Sequence, residues 1–162
     1  METGKKYKLT DECITIDGRK LYRIEALKDF RWVKKGYKGG FVENEDSLSQ
    51  EGNCWVFNNA KIFENAVVCD NAVISNNAVV CGNAEVCGNA EVVNNADYIV
   101  FKNWWSSGRY FTWTRSNNMW RVGCFYGTGK ELIEKAYKDS ELSGREYERV
   151  VKYVESIFKD NK

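Results

Sequence analysis

Asn-Ala recurs seven times at an unbroken interval of six, at 59/60, 65/66, 71/72, 77/78, 83/84, 89/90 and 95/96. Two residues after each alanine stand Ile62, Val68, Ile74, Val80, Val86, Val92 and finally Tyr98, with Val56 opening the series. A period of six matches neither an α-helix nor a coiled coil, either of which would scatter these side chains around its surface. Stacked solenoid turns remain, each hexad pointing one aliphatic side chain into a shared core. Asparagine suits the corners, because it enters the left-handed backbone region at lower cost than most residues. Asn58-Asn59, Asn76-Asn77, Gly82-Asn83, Gly88-Asn89 and Asn94-Asn95 all offer that choice. Proline is absent, so glycine and asparagine must make the turns.

Over residues 55–98 the pattern aliphatic, x, x, Asn, Ala, x resembles the hexapeptide repeat of left-handed parallel β-helices. The resemblance implies three hexads per triangular coil, the aliphatic residue inward and the small residue near a corner. The handedness comes from the resemblance alone, since crossovers between parallel strands otherwise favour the right hand. Residues 18 apart would then stack as Val56/Ile74/Val92, Ile62/Val80/Tyr98 and Val68/Val86, at the strand spacing of about 4.8 Å. The same offset puts Cys69 on Cys87 in the outward position after the aliphatic one. Parallel side chains rarely reach a disulfide torsion, so free thiols are expected there.

The expected fold is mainly β. Residues 27–97 form a left-handed parallel β-helix of about four coils of 18 residues. Residues 1–26 form an N-terminal β-hairpin cap around Asp17-Gly18. Residues 98–162 form a small C-terminal cap domain of β-β-β-α-α order. Outward positions on the early hexads are apolar (Trp55, Phe57, Phe63, Val67, Val73, Val79) and turn acidic later (Glu85, Glu91, Asp97). Such a belt needs covering, by neighbouring subunits or by the C-terminal segment. Trimers are common among left-handed β-helix proteins, and a homotrimer is the expected assembly.

In the C-terminal segment the strand candidates are Tyr98 to Lys102, Arg109 to Arg115 and Met119 to Tyr126. A two-residue turn at Asn117-Asn118 would set Trp113 opposite Val122 and Arg115 opposite Trp120. Thr128 with Glu131, and Ser143 with Glu146, each match a helix-capping box. Lys and Arg outnumber Asp and Glu by 12 to 8 from Tyr98 onward, whereas residues 55–97 hold 1 against 5, so an anionic partner would approach the cap. The candidate ligand-binding residues are Arg109, Tyr110, Trp113, Arg115, Trp120 and Arg121, which combine aromatic faces with phosphate-pairing guanidinium groups. Lys130 joins them in the Gly-rich turn before the first helix, where a phosphate-loop match fails at Cys124 and Glu131.

Six cysteines without a CxxC pair, and no histidine, leave no metal site and no cofactor to expect. Hexapeptide-repeat enzymes commonly use coenzyme A for acyl transfer with a histidine base, or bind metal through histidines. The chain is therefore expected not to be an enzyme. No apolar run is long enough for a membrane span and Met1 to Thr10 lacks a signal-peptide centre, so a cytoplasmic location and no membrane partner are expected. The full layout, including "LYRIEALKDF" and "FTWTRSNNMWRVGCFYGT", resembles a group of hexapeptide-repeat proteins carried by bacteriophages and prophages. That resemblance implies a non-catalytic binding protein, a phage accessory or anti-defence factor that sequesters a nucleotide-like ligand or blocks a host protein. The competing readings are a degenerate coenzyme A-dependent acyltransferase and a structural phage protein.

Overall fold

The computed structural model describes residues 4–159. Strands β1 (Tyr7–Ile16) and β2 (Arg19–Ala26) form an antiparallel hairpin that turns at Asp17 and Gly18, both at positive φ. After β3 (Lys38–Val42) come seven strands of two residues each. They are β4 (Trp55–Val56), β5 (Lys61–Ile62), β6 (Val67–Val68), β7 (Val73–Ile74), β8 (Val79–Val80), β9 (Glu85–Val86) and β10 (Glu91–Val92). An antiparallel sheet follows, of β11 (Tyr98–Lys102), β12 (Tyr110–Thr114), β13 (Met119–Val122) and β14 (Phe125–Gly127). Helices α1 (Gly129–Asp139) and α2 (Glu141–Lys159) close the described chain.

This architecture corrects the expected left-handed parallel β-helix. The chain is mainly β, with several small sheets and two helices, and the sheets are short and mixed. The largest runs β1-β2-β3-β5-β8, antiparallel through β3 and parallel beyond it. The other repeat strands form separate ladders, β10-β7-β4 and β6-β9. The physical reason lies in the hexad itself. Only two of its six residues are extended and paired; the rest are spent on the bend, so no long wall of strand can develop.

The ladder register is set by an offset of 18, pairing Val56 with Ile74, Ile74 with Val92, Ile62 with Val80 and Val68 with Val86. All seven aliphatics and the alanines Ala60 to Ala90 are buried in one cluster. Full burial of each such aliphatic stabilises the fold by roughly 1.5–3 kcal/mol before conformational entropy is counted. Tyr98 departs from the expected stack: it enters β11, and its hydroxyl donates to the Val79 carbonyl at 2.9 Å. The left-handed residue of each corner is the one before Asn-Ala (Asn58, Glu64, Asp70, Asn76, Gly82, Gly88), not the repeated asparagine. The repeated asparagines make side-chain ladders instead, Asn65 to Asn83 and Asn71 to Asn89, each at 3.3 Å.

The aromatic part of the apolar belt, Trp55, Phe57 and Phe63, is covered by the chain's own N-terminal part, an arrangement that the sequence pattern did not single out. Trp55 packs edge-on against Tyr7 and Phe30, Phe57 against Tyr37, and Phe63 clusters with Leu21 and Phe41. These contacts cover the three rings from within the chain.

Backbone polarity explains both ends of the stack. Each strand donates its N–H groups to the strand 18 residues later, as Trp55 does to Ala72 at 3.1 Å. The last strands therefore hold free donors and the first hold free carbonyls. Side-chain oxygens meet the donors: Asn95 accepts from the Val79 amide, Tyr98 from Cys81, Thr112 from Glu85, Ser116 from Glu91 and Asp97 from Val93. At the opposite end the buried Lys6 ammonium donates to the carbonyls of Glu51, Gly52 and Cys54. Burial lowers the Lys6 pKa, while the Cys54 thiol 3.2 Å away opposes that shift.

Candidate functional site

The seven residues marked as ligand-binding do not converge. Trp113 and Trp120 face each other across β12 and β13, are 3% and 1% exposed, and belong to the core under α1 and α2. Neither has a face free for a base to stack on. Arg115 lies over the Phe158 ring at 4.6 Å, Tyr110 is exposed with Lys102 nearby, and Lys130 is exposed in the first turn of α1. Arg109 lies at the other end of this sheet, and Arg121 projects from the opposite face toward the stack. The expected hairpin register is off by two: Trp113 pairs with Trp120 and Thr114 with Met119. The connection is a four-residue turn, 115–118, held by Thr114 donating to Asn117 at 2.7 Å and Trp113 to Asn118 at 2.8 Å. The second capping expectation also moves, since α2 starts at Glu141 with Ser140 accepting from the Ser143 amide. The first is met in its hydroxyl half, with Thr128 accepting from the Glu131 amide at 3.2 Å.

A different cluster forms where the four-stranded sheet docks on the stack. Thr112 and Arg121, neighbours across β12 and β13, both reach β9: Thr112 accepts from the Glu85 amide and the Arg121 guanidinium pairs with the Glu85 carboxylate at 3.3 Å. Directly below, the 18-residue register brings Cys69 and Cys87 side by side, and both are free thiols. The Asp70 carboxylate, held by the Gly88 amide at 2.9 Å, completes a group whose donor atoms all lie within 4.8 Å of one another. Tyr126 closes the site from β14. Its hydroxyl sits so close to Gly88 that an added Cβ would collide with it, so this corner takes glycine where Asn58, Glu64, Asp70 and Asn76 hold the same positive φ elsewhere in the stack.

The electrostatics of the two sulfurs diverge. A hydrogen bond from the Cys87 thiol holds Cys69 below the ordinary thiol range against the cost of its own burial and the nearby Asp70 and Glu85 carboxylates, and the Arg121 charge acts in the same direction as that bond. Cys87 is pushed up, first by donating that bond and then by burial. The arrangement is therefore a half-buried Cys69 whose ionisation is favoured by its thiol neighbour and a nearby guanidinium, a direction that raises the nucleophilicity of a cysteine. Two sulfurs and a carboxylate are also a donor set for a soft metal, but the Arg121 charge beside them opposes a cation. The repeat offset placed Cys69 on Cys87. What it did not reveal is the charge on the site, because Arg121 arrives from more than 30 residues away in sequence.

No family model matches the chain. Among the described residues no helix is long and apolar enough to cross a membrane. A stretch of 62 residues is 39% identical to the uncharacterized acetyltransferase YdcK of Escherichia coli (strain K12), covering 33% of this chain and 19% of that protein. The match thus spans about a fifth of the relative's length. It nonetheless corrects the expectation, drawn from the lack of histidine, that the chain is not an enzyme: a third of it is similar to a protein named for acyl transfer.

Proposed function

We propose that the protein is an acyl-transfer enzyme that takes an acyl group from a coenzyme A thioester onto Cys69. The observation that carries this reading is the Cys69 sulfur set beside the Cys87 sulfur, with Arg121 anchored close by on Glu85. The partial similarity to a protein named as an acetyltransferase supports it by analogy. Cys69 attacks the thioester carbonyl, the bond from that carbon to the coenzyme sulfur breaks, and the departing thiolate takes its proton from water. The acyl-cysteine then passes the group to an acceptor nucleophile, whose proton is released as the Cys69 thiolate is restored. A thiol whose ionisation is favoured in this way has less need of a histidine base to remove its proton.

Intact-mass measurement after incubation with acetyl coenzyme A tests the proposal. The expected result is one acetyl group per chain, removable by neutral hydroxylamine, absent in Cys69→Ser and acquired more slowly in Cys87→Ser. No uptake by the wild type, or equal uptake by Cys69→Ser, refutes it.

A further inference from the structure

On the far side of the four-stranded sheet from Cys69, a cleft of about 230 Å³ opens between the segment after β11, the β13–β14 turn, α1 and the start of α2. Three polar side chains at its base are at least nine-tenths buried: Asn103, Ser143 and Tyr147. Their mutual hydrogen bonds leave a consistent remainder. Asn103 donates its amide to the Tyr147 hydroxyl at 3.2 Å and accepts from both the amide and the hydroxyl of Ser106. The Trp105 indole donates to the Ser143 hydroxyl at 3.1 Å. In both hydroxyls the oxygen is used as acceptor, so the O–H proton of each is the group left to give.

Arg109 stands above them. No described carboxylate pairs with it, and its guanidinium lies against Gly123, where an added Cβ would strike it. It is close enough to act electrostatically on Tyr147. Lys135 and Asp139 both line the cleft and pair with each other at 4.0 Å, so their charges offset and Arg109 is left as the uncompensated one. A lining that offers hydroxyl protons and a guanidinium, with its amide oxygen already doubly engaged, is matched to a ligand that accepts hydrogen bonds and carries negative charge. Its volume is below the roughly 300–1,000 Å³ of pockets that take drug-sized ligands, which favours a compact anion over a nucleotide.

We infer that this cleft is a binding site for a small oxyanion, a carboxylate or a phosphate group, held by Arg109, Tyr147 and Ser143. This site is independent of the thiol site, from which the sheet separates it. Calorimetric titration with inorganic phosphate and, separately, with acetate, against a background of constant ionic strength in chloride, tests it and distinguishes the two anions. Saturable binding of one of them, weakened about tenfold in Arg109→Gln by loss of a charge-assisted hydrogen bond and also weakened in Tyr147→Phe, is the expected result. Arg109 is exposed, so its replacement leaves folding intact, and Arg145→Gln, outside the cleft, serves as the charge control. Absence of saturation with either anion, or equal binding by wild type and Arg109→Gln, overturns the inference.

Discussion

Tyr98 shows how one side chain can serve two masters at a junction. Its hydroxyl donates to the Val79 carbonyl and accepts from the Cys81 amide, joining β11 to β8. Burial pushes its pKa from 10.0 up to about 12. A folded-state pKa above the unfolded one means that folding favours the protonated phenol. The stability so gained is complete below pH 10 and is lost as pH rises from 10.0 toward about 12. Denaturation curves recorded across that interval should show a decline in wild type that is shallower in Tyr98→Phe. Equal slopes would remove Tyr98 from the account. The identity of this residue was easy to read and its role was not. The repeat predicted an inward stack member, whereas the strand it enters belongs to the next sheet and pulls it out of line.

At the scale of elements, legibility followed the range of the forces involved. Thr128 caps α1 through a bond to an amide only three residues away, and the local sequence was sufficient to find it. Thr128→Ala should cost about 1 kcal/mol, the usual value of a hydroxyl cap, measured as a lowered urea midpoint at unchanged slope. Ladder pairing at an offset of 18 was equally readable, since periodicity encodes it directly. The β12–β13 hairpin lies two residues away from the register of an Asn-Asn turn because the register it takes depends on Asn117 and Asn118 binding Thr114 and Trp113. Those bonds hold a longer turn than Asn-Asn alone suggests. The tryptophans consequently face one another inside the core, and the aromatic surface expected of the hairpin is spent on packing against α2.

Of the hydrophobic clusters among the described residues, the two largest lie one within the stack and one between the four-stranded sheet and the helices. The thiol site forms at their junction and the oxyanion cleft lies beyond the second, so neither could be read from one stretch of chain. Arg121 reaches Cys69 only after the sheet docks, and Tyr147 reaches Asn103 only after α2 folds back. The N-terminal hairpin likewise covers Trp55 and Phe63 through contacts that no local pattern announces.

The chemical closure of both stack ends has a consequence for behaviour in concentrated solution. A row of unmet amides would let copies of the chain add end to end and grow into fibres, and here side-chain oxygens occupy that row. Amides so occupied are not available to pair with a second copy. Removing two of the stoppers together, in Thr112→Val with Ser116→Ala, should yield filaments visible by light scattering where the wild type stays dispersed. A doubly substituted protein that remains equally dispersed would mean that something other than those hydroxyls halts growth.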